Sequence, residues 1–208
     1  MANENLKDIH FDILKEIGNI GAGNAATALA QLLNKKIDMN VPKVNILPIN
    51  EIPKVFGNIE DLVVAVYMQL SGRISGNILF VLGEQDALKL LNMLVGQDID
   101  SLSKLDEMQK SAMVEIGNII TGSYISALSD FIRIPMIPSV PAISIDMLGA
   151  VLSTPLTEMY YKGDTALLIE TKFMDYKDHF KGHFILIPDP KSIEVMFTAL
   201  GVNYNGGG

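Results

Sequence analysis

Residues 12–42 read DILKEIGNIGAGNAATALAQLLNKKIDMNVP, and residues 111–141 read SAMVEIGNIITGSYISALSDFIRIPMIPSVP. At a constant offset of 99 the two stretches share the run from Glu16 to Ile20 with that from Glu115 to Ile119. They also match at Gly23/Gly122, Ala28/Ala127, Leu29/Leu128, Val41/Val140 and Pro42/Pro141, ten identities in 31 positions without a gap. A period of about 100 residues is too long for a solenoid unit. It fits a duplicated domain with pseudo-twofold symmetry, with one repeat over residues 1–99 and the second over 100–208, together one compact unit.

Outward from these stretches, both halves follow one order. A long helix is expected over residues 6–33 and again over 105–131. An extended stretch rich in Pro and β-branched residues follows, VPKVNILPI and IPMIPSVPAISI. Two strand-like runs come next, LVVAVYM with GNILFVL and ALLIETKF with HFILIP, the first pair turning at 70–75 and the second through 174–182. An amphipathic helix closes each half and stops at Gly96 or Gly201. Residues 97–107 read as a polar linker, and the final NGGG as a frayed end. Strands joined by tight turns pair antiparallel. The expected architecture is α+β: two pseudo-twofold-related halves sharing one central, mainly antiparallel six-stranded sheet covered by long helices.

Composition narrows the function. The chain has 208 residues, 49% of them hydrophobic, no cysteine, and 16 Lys plus Arg against 24 Asp plus Glu, a net charge of -8. It can bury a core, and the acidic balance argues against nucleic acid as a partner. Without cysteine there is no disulfide, thiolate nucleophile or Cys-ligated zinc. The start, MANENLKDIH, has no basic segment followed by an apolar one. The longest charge-free stretch, 17–34, carries Asn19, Asn24, Thr27, Gln31 and Asn34, amides and a hydroxyl that hydrocarbon would penalise. A cytoplasmic protein is expected, with no membrane partner.

At about 100° per residue, Ile9, Ile13, Ile17 and Ile20 fall within about 80° of one another and read as a core stripe. Asp12, Glu16, Asn19, Gly23, Ala26 and Ala30 form a second stripe, polar at one end and small at the other. The second helix repeats it as Ser111, Glu115, Asn118 and Gly122. Glycine inside a helix costs about 0.8–1 kcal/mol relative to Ala. The small surface is therefore expected to serve a close contact, internal or with a partner. A single Glu-x-x-Asn is ordinarily a solvated pair. Its recurrence on the same helical face, inside the best-matching run of the repeat, weighs toward function. A carboxylate can pair with a cation, and a carboxamide donates and accepts at once, which suits holding a water. Such a pair supplies no nucleophile and no complete metal site, so its catalytic role would be positional.

The pattern Asp/Ser-x3-Glu-x2-Asn-x22-Pro stands twice in full, as Asp12, Glu16, Asn19, Pro42 and as Ser111, Glu115, Asn118, Pro141. It resembles the signature of the CheC family of bacterial chemotaxis phosphatases, and the resemblance covers almost the whole chain. It implies hydrolysis of the aspartyl phosphate of the response regulator CheY. Glu16 and Glu115 would pair with a regulator lysine, and Asn19 and Asn118 would place the attacking water. The chain would bind no cofactor, with Mg²⁺ supplied by the phosphorylated partner. Asp12 and Ser111 would support the helix start or the contact, and Pro42 and Pro141 would turn the chain into the strands. The family also binds the deamidase CheD, which raises activity, and that contact is expected near 143–152, with Asp146 the named residue. Both pairs are kept, so two working sites are expected. Ile120 and Thr121 for Gly21 and Ala22, and Tyr124 and Ile125 for Ala25 and Ala26, make the second face bulkier and argue against equal activity.

Other readings are weaker. Gly21, Gly23 and Ala26 spell the dinucleotide fingerprint, but inside a helical pattern and with Asp38 too near. His179 and His183, with Asp175 and Asp178, lack third-ligand spacing. His10 stands alone. Glu16 and Glu115 as a glycosidase pair would lack an aromatic platform, tryptophan being absent. A non-catalytic binding module, as in flagellar switch proteins, is the rival from another class, and a scaffold for CheD is a third.

Overall fold

The computed structural model describes residues 8–96, 99–159, 165–174 and 179–201. The chain order is α1 (Asp8–Leu33), β1 (Asp38–Pro48), α2 (Ile52–Phe56), β2 (Leu62–Gly72), β3 (Gly76–Gly83) and α3 (Glu84–Val95). The second half repeats it with α4 (Glu107–Ile132), β4 (Met136–Pro138), β5 (Ala142–Met147), α5 (Leu148–Met159), β6 (Thr165–Met174), β7 (His179–Pro188) and α6 (Pro190–Ala199). The α4 start is set by a capping box in which Asp106 Oδ1 accepts from Gln109 N–H at 2.7 Å and Gln109 Oε1 accepts from Asp106 N–H at 3.0 Å. Gly96 ends α3 at φ +67°, a left-handed position that glycine adopts without strain.

All the described strands join one antiparallel sheet in the order β1-β6-β7-β3-β2-β4, with β5 also pairing β2. Seven strand segments therefore occupy the six expected lanes, because β4 and β5 share one lane along β2. The edge strand of each half lies on the strand pair of the other: β1 pairs β6, and β4 and β5 pair β2. This exchange joins the two repeats in one sheet.

The period-2 alternation sorts side chains to the two sheet faces. Val64, Val66, Ile78, Phe80, Leu167, Ile169, Phe184 and Leu186 enter the core under the long helices. Val63, Ala65, Leu79, Val81, Ala166, Leu168, Ile185 and Ile187 enter a smaller core on the opposite face, covered by Ile52 of α2 and by Leu148, Val151 and Leu152 of α5. The sheet is a middle layer, and α2 and α5 are elements the sequence reading did not expect. The linker is only partly polar, since Leu102 and Leu105 are buried.

The core face of α1 differs from the expected isoleucine stripe. Ile9 and Ile20 are 57% and 49% exposed, whereas Leu14, Ile17, Ala22, Ala25, Leu29 and Leu33 are buried. The physical reason is the neighbour. A Cβ at Gly21 would lie 2.7 Å from Tyr124 Cδ1, 3.0 Å from Tyr124 Cα and 3.3 Å from Ser123 O, so α1 meets α4 backbone to backbone. A close internal contact is thus made at Gly21, which lies off the second stripe, whereas Gly23 of that stripe has nothing within 4 Å of its Cβ position. Tyr124, Ile120 and Ile125 are themselves buried, so the bulk of the second half points into the core and not onto the candidate face. Gly21 and Ala25 correspond to Ile120 and Tyr124 in the repeat, small on α1 where α4 is large. The fingerprint glycines Gly21 and Gly23 lie more than three turns inside α1 and not at a strand-to-helix turn, which excludes the dinucleotide reading.

Candidate active site

Spacings of three and four residues put Asp12, Glu16 and Asn19 on one face of α1, and Ser111, Glu115 and Asn118 on one face of α4. That face is outward in both. Asp12, Glu16, Ser111, Glu115 and Asn118 are exposed, and Asn19 is half-buried. Among the described residues neither Glu16 nor Glu115 forms an ion pair; Lys110, on the same helix as Glu115, pairs instead with Glu107, Nζ to Oε1 at 2.9 Å. Both carboxylates are available to an incoming cation. Ser111 lies one turn inside α4, and its hydroxyl donates to Glu107 O at 2.8 Å, so it does not cap the helix. Asp12 likewise sits beyond the first turn of α1.

Pro42 stands within edge strand β1, and Pro141 lies just before β5. In β1 the register with β6 slips between Asn40 and Lys43, so Val41 and Pro42 face Thr171 alone, a β-bulge. Proline has no N–H to give a ladder and is tolerated there. Val41 N–H, turned out of the ladder, donates to Asn19 Oδ1 at 2.9 Å. Pro141 occupies the corresponding break between β4 and β5. There Ser139 bridges the gap: its N–H donates to Gln69 O at 2.8 Å, and its Oγ accepts from Gln69 N–H at 3.0 Å. Asn118 makes no side-chain hydrogen bond among the described residues. Val41 and Ser139 were not singled out by the sequence reading. Val41 was visible as one of the ten identities, but its use of a backbone N–H has no signature in residue type.

Beyond Asn19 on the same face of α1, Gly23, Ala26 and Ala30 line an open groove of about 670 Å³, completed by Ile37 and by Asp38 and Met39 at the start of β1. Asp146 stands on the edge strand β5 opposite Val63, exposed, its Oδ1 accepting from Met147 N–H at 2.7 Å. Among the described residues no three of His, Asp and Glu converge as metal ligands. Asp175 and Asp178 lie outside the described residues, and His183 packs on the Phe56 ring with centroids 4.5 Å apart. No described helix is long and apolar enough to cross a membrane.

The CheC-like family model matches twice, over residues 9–46 and 108–145. The chain is 39% identical over 203 residues to the CheY-P phosphatase CheC of Bacillus subtilis, covering 95% of this chain and 97% of that one. The chain belongs to the CheC-like family. The two matched segments are offset by the same 99 residues as the repeat, contain both helix faces and reach into the edge strands that follow. The flagellar motor switch phosphatase FliY of Bacillus subtilis is 32% identical over 127 residues, 61% of this chain and 33% of that protein. The crystal structure of Thermotoga maritima FliY superposes with a TM-score of 0.76 at 22% identity, covering 94% of this chain and 98% of that one. The FliM middle domain from H. pylori gives 0.70 at 8% identity, covering 93% and 99%. At those identities the structural likeness shows the fold alone, and this CheC-like chain shares it.

Proposed function

We propose that this CheC-like chain hydrolyses the aspartyl phosphate of a phosphorylated CheY-type response regulator. The observation that carries the reading is the paired Glu/Asn face: two outward-facing carboxylates without an ion pair among the described residues, each one turn from a carboxamide on the same helix. Glu16 and Glu115 bind a lysine of the docked regulator, which seats the helix against the phosphorylated aspartate. Asn19 and Asn118 each hold one water in line with the phosphorus–oxygen bond to be broken. The water oxygen bonds to phosphorus, the aspartate carboxylate leaves, and the water protons pass to solvent and phosphate. Mg²⁺ and the phosphoryl group come with the regulator, and no cofactor belongs to this chain. Asp12 and Ser111 flank the contact, and Pro42 and Pro141 hold the bulges behind it. The deamidase CheD is the proposed modulator, docking on the exposed edge of β5 around Asp146.

The test is phosphate release from a regulator loaded with acetyl phosphate and Mg²⁺. Acceleration over the regulator's own hydrolysis is expected. Glu16→Ala with Glu115→Ala is expected to raise KM, by about tenfold for the loss of about 1.5 kcal/mol in a charge-assisted contact. Tight regulator binding with no acceleration would favour a non-catalytic switch module.

A further inference from the structure

We propose that the Val41 amide is a positioning group, so that the first site is preorganised and the second is not. The inference deepens the reading of Asn19 and Asn118 as water-holding residues and rests on it. The bulge frees Val41 N–H, and it donates to Asn19 Oδ1 at 2.9 Å. Val41 is 2% exposed and packs on Gly18, one residue before Asn19: a Cβ there would stand 3.2 Å from Val41 Cγ2. Strand and helix are thus locked side by side, and one lone pair of Asn19 Oδ1 is committed, which fixes the carboxamide with its oxygen toward the strand. Its NH₂ is the end left for a water, which it would hold by a lone pair.

The second half has the same residues, Gly117, Asn118, Val140 and Pro141, and a different outcome. Val140 is 87% exposed. The valine against Gly117 is Val66 of β2, whose Cβ would lie 2.6 Å from a Cβ at that glycine. Ser139 holds the break to Gln69 by two hydrogen bonds, and three residues fill it where β1 uses two. Asn118 is left able to turn either end of its carboxamide outward. Groups fixed before reaction need no reorganisation when charge moves, so one orientation favours turnover.

The experiment removes one backbone N–H. Replacing Val41 by its α-hydroxy analogue makes that N–H an ester oxygen and keeps the side chain. In the Asn118→Ala chain, which retains only the first site, kcat for phosphate release is expected to fall about fivefold with KM unmoved, the value of about one ordinary hydrogen bond. The same replacement at Val140 in the Asn19→Ala chain is expected to leave kcat unchanged. Equal kcat with amide and ester at Val41, or an equal loss at Val140, would overturn the proposal. Hydrogen exchange of the two amides in the protein alone gives a readout independent of turnover. Val41 is expected to be protected, Val140 open, and Val41 protection to fall at least fivefold in Asn19→Ala. Val41 exchanging as fast as Val140 would overturn the clamp. Protection at Val41 with no phosphate release from any form would uphold the clamp and sink the phosphatase reading.

Discussion

Gly21→Ala sets two effects of opposite sign against each other at the α1–α4 crossing. In a free helix the change stabilises by about 0.8–1 kcal/mol. At this position the added Cβ meets Tyr124 Cδ1 at 2.7 Å, Tyr124 Cα at 3.0 Å and Ser123 O at 3.3 Å. The ring carbon could swing aside, but the other two atoms are backbone, so α4 itself must shift. Such overpacking costs about 1–3 kcal/mol, and contact with backbone puts this case at the upper end. The expected net loss is about 1–2 kcal/mol, a fall in Tm of about 3–6 °C for a chain of this size. Gly23→Ala, on the same helix with nothing within 4 Å of its Cβ, is the control and is expected to raise Tm by about 2–4 °C. Thermal unfolding followed by circular dichroism reads both. If Gly21→Ala melts at or above the parent temperature, the helices do not meet as closely as described, and the reason given for the rotated core face of α1 fails with them.

Two further outcomes follow from buried groups. Tyr124→Phe leaves Thr171 Oγ1, its partner at 2.6 Å, buried without one, and is expected to cost about 1–3 kcal/mol in urea unfolding. Burial pushes the Tyr124 phenol up from 10.0, against a smaller opposing effect of the Thr171 hydrogen bond. The neutral phenol therefore contributes stability fully present below that ordinary value and lost as pH climbs toward the raised one, a slope that Tyr124→Phe should flatten. His183 is shifted the other way: burial lowers its pKa from 6.5, partly opposed by the Glu170 carboxylate. The unfolded chain then binds the extra proton first, so stability is expected to fall as pH drops through 6.5, and His183→Phe should remove that part of the acid slope. An unchanged slope in the variant would refute it.

The long helices, the strand pairs and both Glu/Asn faces were legible because each is a local or repeated pattern. The buried side of α1 was not. Isoleucines outweigh glycine and alanine in any hydrophobic stripe, yet Gly21, Ala22 and Ala25 are the residues that must face inward where α4 comes closest. The exchanged edge strands were read only as extended segments, since which half they pair with is a non-local choice. The helix α2 carries Pro53 in its first turn and is five residues long, so it read as part of a connection. The candidate catalytic residues showed in the repeat; the difference between the two sites did not, because it lies in a backbone N–H and in how each bulge is held.

In the proposed mechanism, twin carboxamides position water for a phosphorus brought by a partner. The most direct measurement is the rate of phosphate release from acetyl-phosphate-loaded regulator with Mg²⁺, comparing the parent chain with Asn19→Ala plus Asn118→Ala, alongside regulator binding by both. Loss of a positioning contact of this kind costs about a hundredfold or more. The double variant is expected to fall to the regulator's own hydrolysis rate while still binding it. A double variant that keeps the parent rate would contradict it.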